Sequence, residues 1–410
     1  MKPKLFLIFV LLIMISVHLL HAQDIVTKGR FTNSVYVYEP TILRGQEESK
    51  AHVFLYQYLR FQAKMKEANN LTFNLDTRVV NDLEEKIDSD LSFRLNRVSL
   101  SADDLFNGFL DVEVGRLFYH PGITFGSLDG LDLVLKPARN LHVQLFGGIE
   151  SSLYYSYKIY KPDEATVYGG SLKYFNLGST DIQLSYLEKK YKSDTQWQIA
   201  GLNLSNYILK DWKFILQAHY DLANSRLHRL FFSTRYSMAR EIQIQLRLKH
   251  QHPQIYADSY YNDREKFGTF ESVTQAGLGA TYFLGSEYSI TADYNMFVLK
   301  EGQGHRIIAS LNNYNGSIGL VYETGDLGDQ LGFMVNYGYE FLPGLIGSIA
   351  IDYTRYRFEE IYDYENQLAN ALRVSYSFAQ HWKVDLEYQL LNNKFKDTDH
   401  RFLNHIHFIW

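Results

Sequence analysis

From residue 24 to the last residue, apolar and polar side chains take turns along the chain at a period of two, the repeat of an extended strand whose two faces meet different surroundings. The clearest run is Glu241 to Lys249, where Ile242, Ile244, Leu246 and Leu248 share one face and Gln243, Gln245, Arg247 and Lys249 the other. Trp382, Val384, Leu386, Tyr388 and Leu390 alternate in the same way with Lys383, Asp385, Glu387 and Gln389. Helical periodicity is hard to find after residue 24, so the expected fold is all-β. Turn signals punctuate the alternation. Short turns fall at 66–70, 103–107, 137–140, 176–180, 209–211, 239–240, 284–287, 312–316, 342–344 and 379–381. Longer or more polar connections fall at 40–49, 81–90, 120–127, 151–165, 189–195, 222–225, 253–268, 301–304, 324–329, 359–365 and 393–399. The two kinds alternate from end to end, and these ten short and eleven longer connections join 22 strands. A transmembrane up-and-down antiparallel barrel, with tight turns at one rim and loops at the other, predicts this rhythm and an even strand number. Merging the weakest neighbours lowers the number, so the range is 16 to 22 strands with 22 the best count.

Alternation alone also fits a soluble sandwich. The aromatic residues separate the two. Tyr, Phe and Trp make up 15% of the chain while Pro numbers only 7, a balance that favours strands. Rings recur beside the short turns: Tyr174 and Phe175, Tyr207 and Trp212, Tyr282 and Phe283, Tyr314, Tyr339 and Phe341, Phe378 and Trp382. Rings with an apolar body and a polar edge prefer the headgroup boundary, so a repeat at one end of the strands reads as a girdle. The absence of Cys excludes a disulfide scaffold, a thiolate metal site, a cysteine nucleophile and a lipid anchor on Cys. A net charge of −5 leaves no basic excess for nucleic acid.

Lys2 and Lys4 precede an apolar run from Leu5 to Leu20, followed by His21, Ala22 and Gln23. Residues 1–23 therefore read as a secretory signal peptide cleaved near Ala22 or Gln23, with residues 24–410 as the exported barrel; an uncleaved amino-terminal membrane helix is the alternative. Removing the leader leaves 39 basic against 46 acidic residues, a net −7. No other stretch approaches the roughly 18 uncharged apolar residues that a spanning helix needs, so a membrane protein of this sequence crosses with strands.

Phe402 to Trp410 form a strand that runs to the last residue, with Ile406, Phe408 and Trp410 on one face. This resembles the carboxy-terminal signature of bacterial outer-membrane barrels, although Trp410 stands where that family usually has Phe. The resemblance implies a strand that the barrel-assembly machinery reads and that closes the cylinder against the first strand. Between residues 109 and 137, Gly115-Arg116 and Leu128-Asp129-Gly130-Leu131 flank the loop 120–127 and resemble the "GR…LDG" hairpin of porin-like families in Gram-negative outer membranes. Membership would imply a cell outer-membrane location among its lipids and passive passage of small hydrophilic solutes, with no enzymatic activity and no cofactor. No plug domain precedes the barrel, which argues against a receptor driven from the inner membrane.

Arg94 and Asn96 share a face, as do Asp111 and Glu113, and opposed basic and acidic walls would set a transverse field that orients hydrated solutes. With Gln243, Gln245, Arg247, Lys249, Lys383, Asp385 and Glu387 they form the candidate pore lining; ion-paired lumen charges that serve stability are the alternative. The loop 120–127 either folds inward as a constriction or lies on the rim. Asp399-His400 has no nucleophile near it, and the pairs His405/His407 and His250/His252 are half a metal site at best, so neither catalysis nor a metal is expected. Gly277-x-Gly279 opens no helix and lacks a phosphate-binding context. Tyr154, Tyr155, Tyr157 and Tyr160 in the loop 151–165 would suit a carbohydrate, a partner or the outer headgroups. Known barrels of 22 strands keep their lumen plugged. Three solutions stay open: fewer strands, loops folded inward, or a lumen filled by a partner protein, as in porin-cytochrome conduits. A rim-located hydrolase is a third functional reading.

Overall fold

The structure is a computed structural model that describes residues 25–38, 51–65, 70–84, 92–151, 159–192, 194–209, 211–252, 272–300, 302–357, 363–393 and 396–410. The segment 1–23 and the residues Tyr154, Tyr155 and Tyr157 lie outside this set, as does the side chain of Tyr207. The strands are β1 (Ile25–Tyr38), β2 (His52–Met65), β3 (Leu71–Asp82), β4 (Phe93–Asp104), β5 (Leu110–Tyr119), β6 (Gly126–Ala138), β7 (Leu141–Glu150), β8 (Ala165–Tyr174), β9 (Thr180–Tyr191), β10 (Asp194–Leu209) and β11 (Trp212–Asp221). They continue as β12 (Arg226–Ser237), β13 (Ile242–Gln251), β14 (Val273–Leu284), β15 (Tyr288–Leu299), β16 (Gly302–Asn313), β17 (Gly316–Gly325), β18 (Asp329–Leu342), β19 (Leu345–Arg357), β20 (Glu365–Ala379), β21 (Trp382–Asn393) and β22 (Lys396–Ile409).

All 22 strands form one sheet in which sequence neighbours pair antiparallel. β1 pairs with β22 from Arg30 opposite Ile409 to Val37 opposite Phe402, so the sheet closes on itself. The best strand count from the sequence is the observed one, and each expected connection marks a junction of two observed strands, although several, such as 189–195, 301–304 and 393–399, run into the strands themselves. The length contrast between the rims is weaker than the sequence suggests: β9 and β10 are separated only by residues 192–193, and β15 and β16 only by 300–301.

The two faces of the wall differ along whole rows. One row crosses six strands through Leu246, Leu278, Tyr294, Ile307, Tyr322 and Leu331, and all six are exposed large hydrophobic residues. The next row runs through Arg247, Gly277, Asn295, Arg306, Glu323 and Gln330. An apolar outside around a polar inside, in strands of 10 to 16 residues, is the arrangement of a barrel in hydrocarbon. Closure is what makes it possible there, because every backbone donor and acceptor needs a partner that lipid does not offer. At the short-turn rim Trp212, Tyr282, Tyr314, Tyr339, Phe341, Phe378 and Trp382 are exposed, as a girdle requires. No helix among the described residues is long and apolar enough to cross a membrane.

Candidate functional site

The connection between β5 and β6 turns into the barrel. The side chains of Gln183 (β9) and Ser185 (β9) donate to the Pro121 carbonyl, the former at 2.9 Å, and Asn203 (β10) donates to the Gly122 carbonyl at 2.8 Å. These three lie on the face opposite the exposed Leu184 and Tyr220, so the loop is seated on the inner wall several strands from where it leaves β5. Ile123 sits directly against Gly201, where a Cβ would lie 2.8 Å from its Cγ1. Beneath the loop, Leu117, Tyr119, Leu128, Phe146, Val167, Leu187 and Ile199 form a buried apolar cluster with Ile123. Lys189 closes its edge, bonding Glu150 at 2.5 Å and lying 4.4 Å from the centroid of the Trp197 ring. Two carbonyls fixed by side-chain donors and one buried cluster anchor this loop; the sequence left inward and rim placements equal, and the inward one is observed.

The hairpin motif explains how the wall lets the loop in. Gly115, Gly130 and Gly148 stand opposite one another on β5, β6 and β7. Gly115 has φ +124°, and a Cβ there would meet the Val98 carbonyl oxygen at 2.3 Å; one on Gly130 would meet the Gly147 oxygen at 2.2 Å. Only glycine permits so close a crease. Beyond Arg116 the β4–β5 ladder stops: its five pairs run from Ala102/Val112 to Val98/Arg116 and make it the shortest ladder in the barrel. Arg116 fills the resulting seam. Its guanidinium forks onto Asp129, both contacts at 2.7 Å, and donates at 3.2 Å to the carbonyl of Leu95, a residue beyond the last β4–β5 pair. The Arg116 side chain is 2% exposed.

The other candidate residues divide. Glu113 accepts from Arg97 at 2.5 Å and from Ser99 at 2.5 Å. Arg97 escaped the alternation because β4 bulges: Asp76 pairs with Arg97 and Thr77 with Leu95, which leaves Asn96 as the extra residue, donating to Asp76 at 3.0 Å. Arg94 stands directly opposite Arg78. Asp111 is engaged elsewhere, by Lys136 at 2.7 Å and the backbone of Asp104 at 2.8 Å, at the 105–109 turn. Gln245 donates to Ser233 at 3.1 Å, Arg247 pairs with Asp293, and Gln243 and Lys249 share their face. Glu387 accepts from Gln389 at 2.5 Å. Asp385 gathers His407 at 2.9 Å, Lys383 at 3.2 Å and Arg373 at 3.4 Å. His407 Nδ1 meets Thr32 at 2.9 Å, so this cluster bridges the closing seam from within. Ile406 and Phe408 face outward with Trp382, and Trp410 exchanges two backbone hydrogen bonds with Gly29.

Asp399 and His400 point apart: Asp399 holds Arg401 at 2.8 Å, and His400 meets the Tyr388 hydroxyl at 2.6 Å. His405 is occupied by Ser34 and His250 by Thr274. No group of three or more His, Asp or Glu among the described residues could hold a metal ion.

Two features of the inner wall had no signal in the alternation beyond their parity. Rings stack along β1 and β2 from Tyr36 and Tyr38 through Phe54 and Tyr56 to Tyr58, with neighbouring centroids 4.7 to 6.2 Å apart. Next along β2, a cavity of about 450 Å³ is lined by the inward Lys28, Arg30, Arg60, Gln62, Asn74, Asp76 and Arg97 and, from the other register of the same strands, by Gly29, Phe61, Leu75 and Trp410, with Phe118 from β5.

The chain is similar along its length to solved structures of large barrels. These include the outer membrane protein OpdK of Pseudomonas aeruginosa (11% identity, 94% of this chain and 98% of that one, TM-score 0.42). OpdO of Pseudomonas aeruginosa (14% identity, 94% and 97%, TM-score 0.46) and OccAB4 of Acinetobacter baumannii (11% identity, 95% and 98%, TM-score 0.38) are two more. No family model and no curated protein matches the chain.

Proposed function

We propose that the protein is a channel of the Gram-negative cell outer membrane through which small hydrophilic solutes diffuse without energy input. The observation that carries this reading is a closed barrel with an apolar outside and a polar inside, narrowed by its own loop at 120–125. That loop resolves the size problem of a 22-stranded lumen from within, and it removes the need for a filling partner that the sheath reading invokes. Arg94, Asn96, Glu113, Gln243, Gln245, Arg247, Lys249, Lys383, Asp385 and Glu387 line the passage and set its field; Asp111 serves the turn. The leader at 1–23 directs export. Ile406, Phe408 and Trp410 form the signal that the assembly machinery reads, and they belong to the strand that seals the wall. The rim pair Asp399/His400 is split between two faces, which leaves the hydrolase reading without a paired acid and base.

Single-channel recording of the purified, folded barrel in a planar bilayer tests this. Steady ohmic steps are expected without any added partner. A folded barrel that stays silent would overturn the open-channel reading and favour a lumen occupied by another protein.

A further inference from the structure

We propose that the lipid-facing surface of β17 to β20, at the loop rim, docks the phosphorylated headgroup of a saccharolipid of the outer leaflet; the inference rests on the outer-membrane placement above and holds whether or not the lumen conducts. The exposed apolar row that crosses the wall from Leu246 to Leu331 continues to Arg355 on β19 and Asn366 on β20. A guanidinium thus stands on the outer face where six strands before it carry apolar side chains. Arg357, the last residue of β19, shares that face. Both guanidiniums lie against the ring of Tyr364, 4.5 and 4.7 Å from its centroid. Arg357 is held by Asp329 at 2.6 and 2.7 Å, whereas Arg355 is exposed and has no acidic partner among the described residues. Two cations on one ring against a single carboxylate leave a positive charge facing the lipid. Lys190, also outward near a loop end, is by contrast closed by Glu188 at 3.2 Å.

A phosphate meets a guanidinium as a fork, through charge-assisted hydrogen bonds. The neighbouring groups suit sugar hydroxyls, which both donate and accept. Tyr364 donates to Asp329 at 3.3 Å, and Asn366 accepts the Tyr353 hydroxyl at 2.8 Å through Oδ1, leaving its amide N–H groups for a ligand. The rows toward the short-turn rim suit acyl chains. Phe333 and Tyr353 pair first, with ring centroids 5.6 Å apart, followed by Val335 with Ile351 and Tyr337 with Ile349. Cations at the rim, rings beneath them and aliphatic side chains below reproduce the order of phosphate, sugar and acyl chain in such a lipid. The loop rim of a barrel of this kind faces the cell exterior, and that leaflet is the one built of phosphorylated saccharolipid.

The folded full-length barrel in detergent is titrated with diphosphoryl lipid A, with the same lipid stripped of its phosphates and with phosphatidylglycerol, and bound lipid is counted by native mass spectrometry. Flotation with liposomes checks the membrane placement separately. Lipid A is expected to saturate as a single retained adduct, with the other two far weaker. Arg355→Gln is expected to raise the half-saturating concentration about tenfold, from the usual strength of a hydrogen bond to a charged group. Arg240→Gln, at a short turn on the opposite rim, leaves it unchanged. Phosphatidylglycerol held as tightly as lipid A would overturn the saccharolipid and leave a general site for lipid phosphate. Equal retention of the dephosphorylated lipid, or an inert Arg355→Gln, would overturn the phosphate site. A flat titration on a barrel that floats would overturn the docking surface, whereas a folded barrel that does not float would overturn the membrane placement beneath it.

Discussion

Arg116 stands in a register that points out of the barrel, yet its guanidinium lies within the wall, where it stands in for missing rungs between β4 and β5. Replacing it with Leu strands Asp129 and the Leu95 carbonyl, a loss expected at about 3–5 kcal/mol from other broken buried pairs, and seen as a lower urea midpoint of the folded barrel. The double change Arg116→Leu with Asp129→Leu should recover part of that loss, since no charge is then left alone. Glu113 makes a different prediction. Glu113→Gln releases Arg97 and should move the zero-current potential toward anion preference, whereas Asp111→Asn, which acts at the 105–109 turn, should leave selectivity unchanged. The sequence displayed Gly115, Arg116, Asp129 and Gly130 as a motif but not its mechanical reason, because the crease and the seam exist only once β4, β5 and β6 lie side by side. Arg97 was hidden for a local reason: the bulge at Asn96 shifts the parity by one residue, and a period-two reading assigns it to the wrong face.

At the level of elements, alternation and turn residues located every strand because each strand is wet on one side and dry on the other. The pattern falters where that premise fails. On β9 the inner face carries Leu187, buried beneath the inward loop, while Glu188 and Lys190 fall on the outer face beside Tyr168, near the loop end of β8. The placement of the loop 120–125 was equally illegible, since its anchors Gln183, Ser185 and Asn203 lie some sixty to eighty residues further on. Gly201 is the sensitive point. Gly201→Val places a side chain where Ile123 now sits and should dislodge the loop, raising single-channel conductance without lowering the amount of folded barrel. An unchanged conductance in a folded Gly201→Val channel would show that the loop is not the narrowing element.

For the whole molecule, the closing pair decides assembly. Trp410 bonds Gly29 in both directions, at 3.0 and 3.1 Å, and its ring lies over Gly29 beside Phe61 and Phe408. Deleting Trp410 should reduce the folded, heat-modifiable fraction in the membrane; normal levels would argue against an assembly role. The sequence announced this strand through its last three outward residues, while the inner cluster of Thr32, Asp385 and His407 that braces the same seam needed the register between β1, β21 and β22 to appear. That register has a consequence in time. The two strands that seal the cylinder are the first and the last to be made, so no portion of the chain emerging from the ribosome can finish the ring. The ring can therefore close only after β22 has been made, and it closes against the strand that was made first.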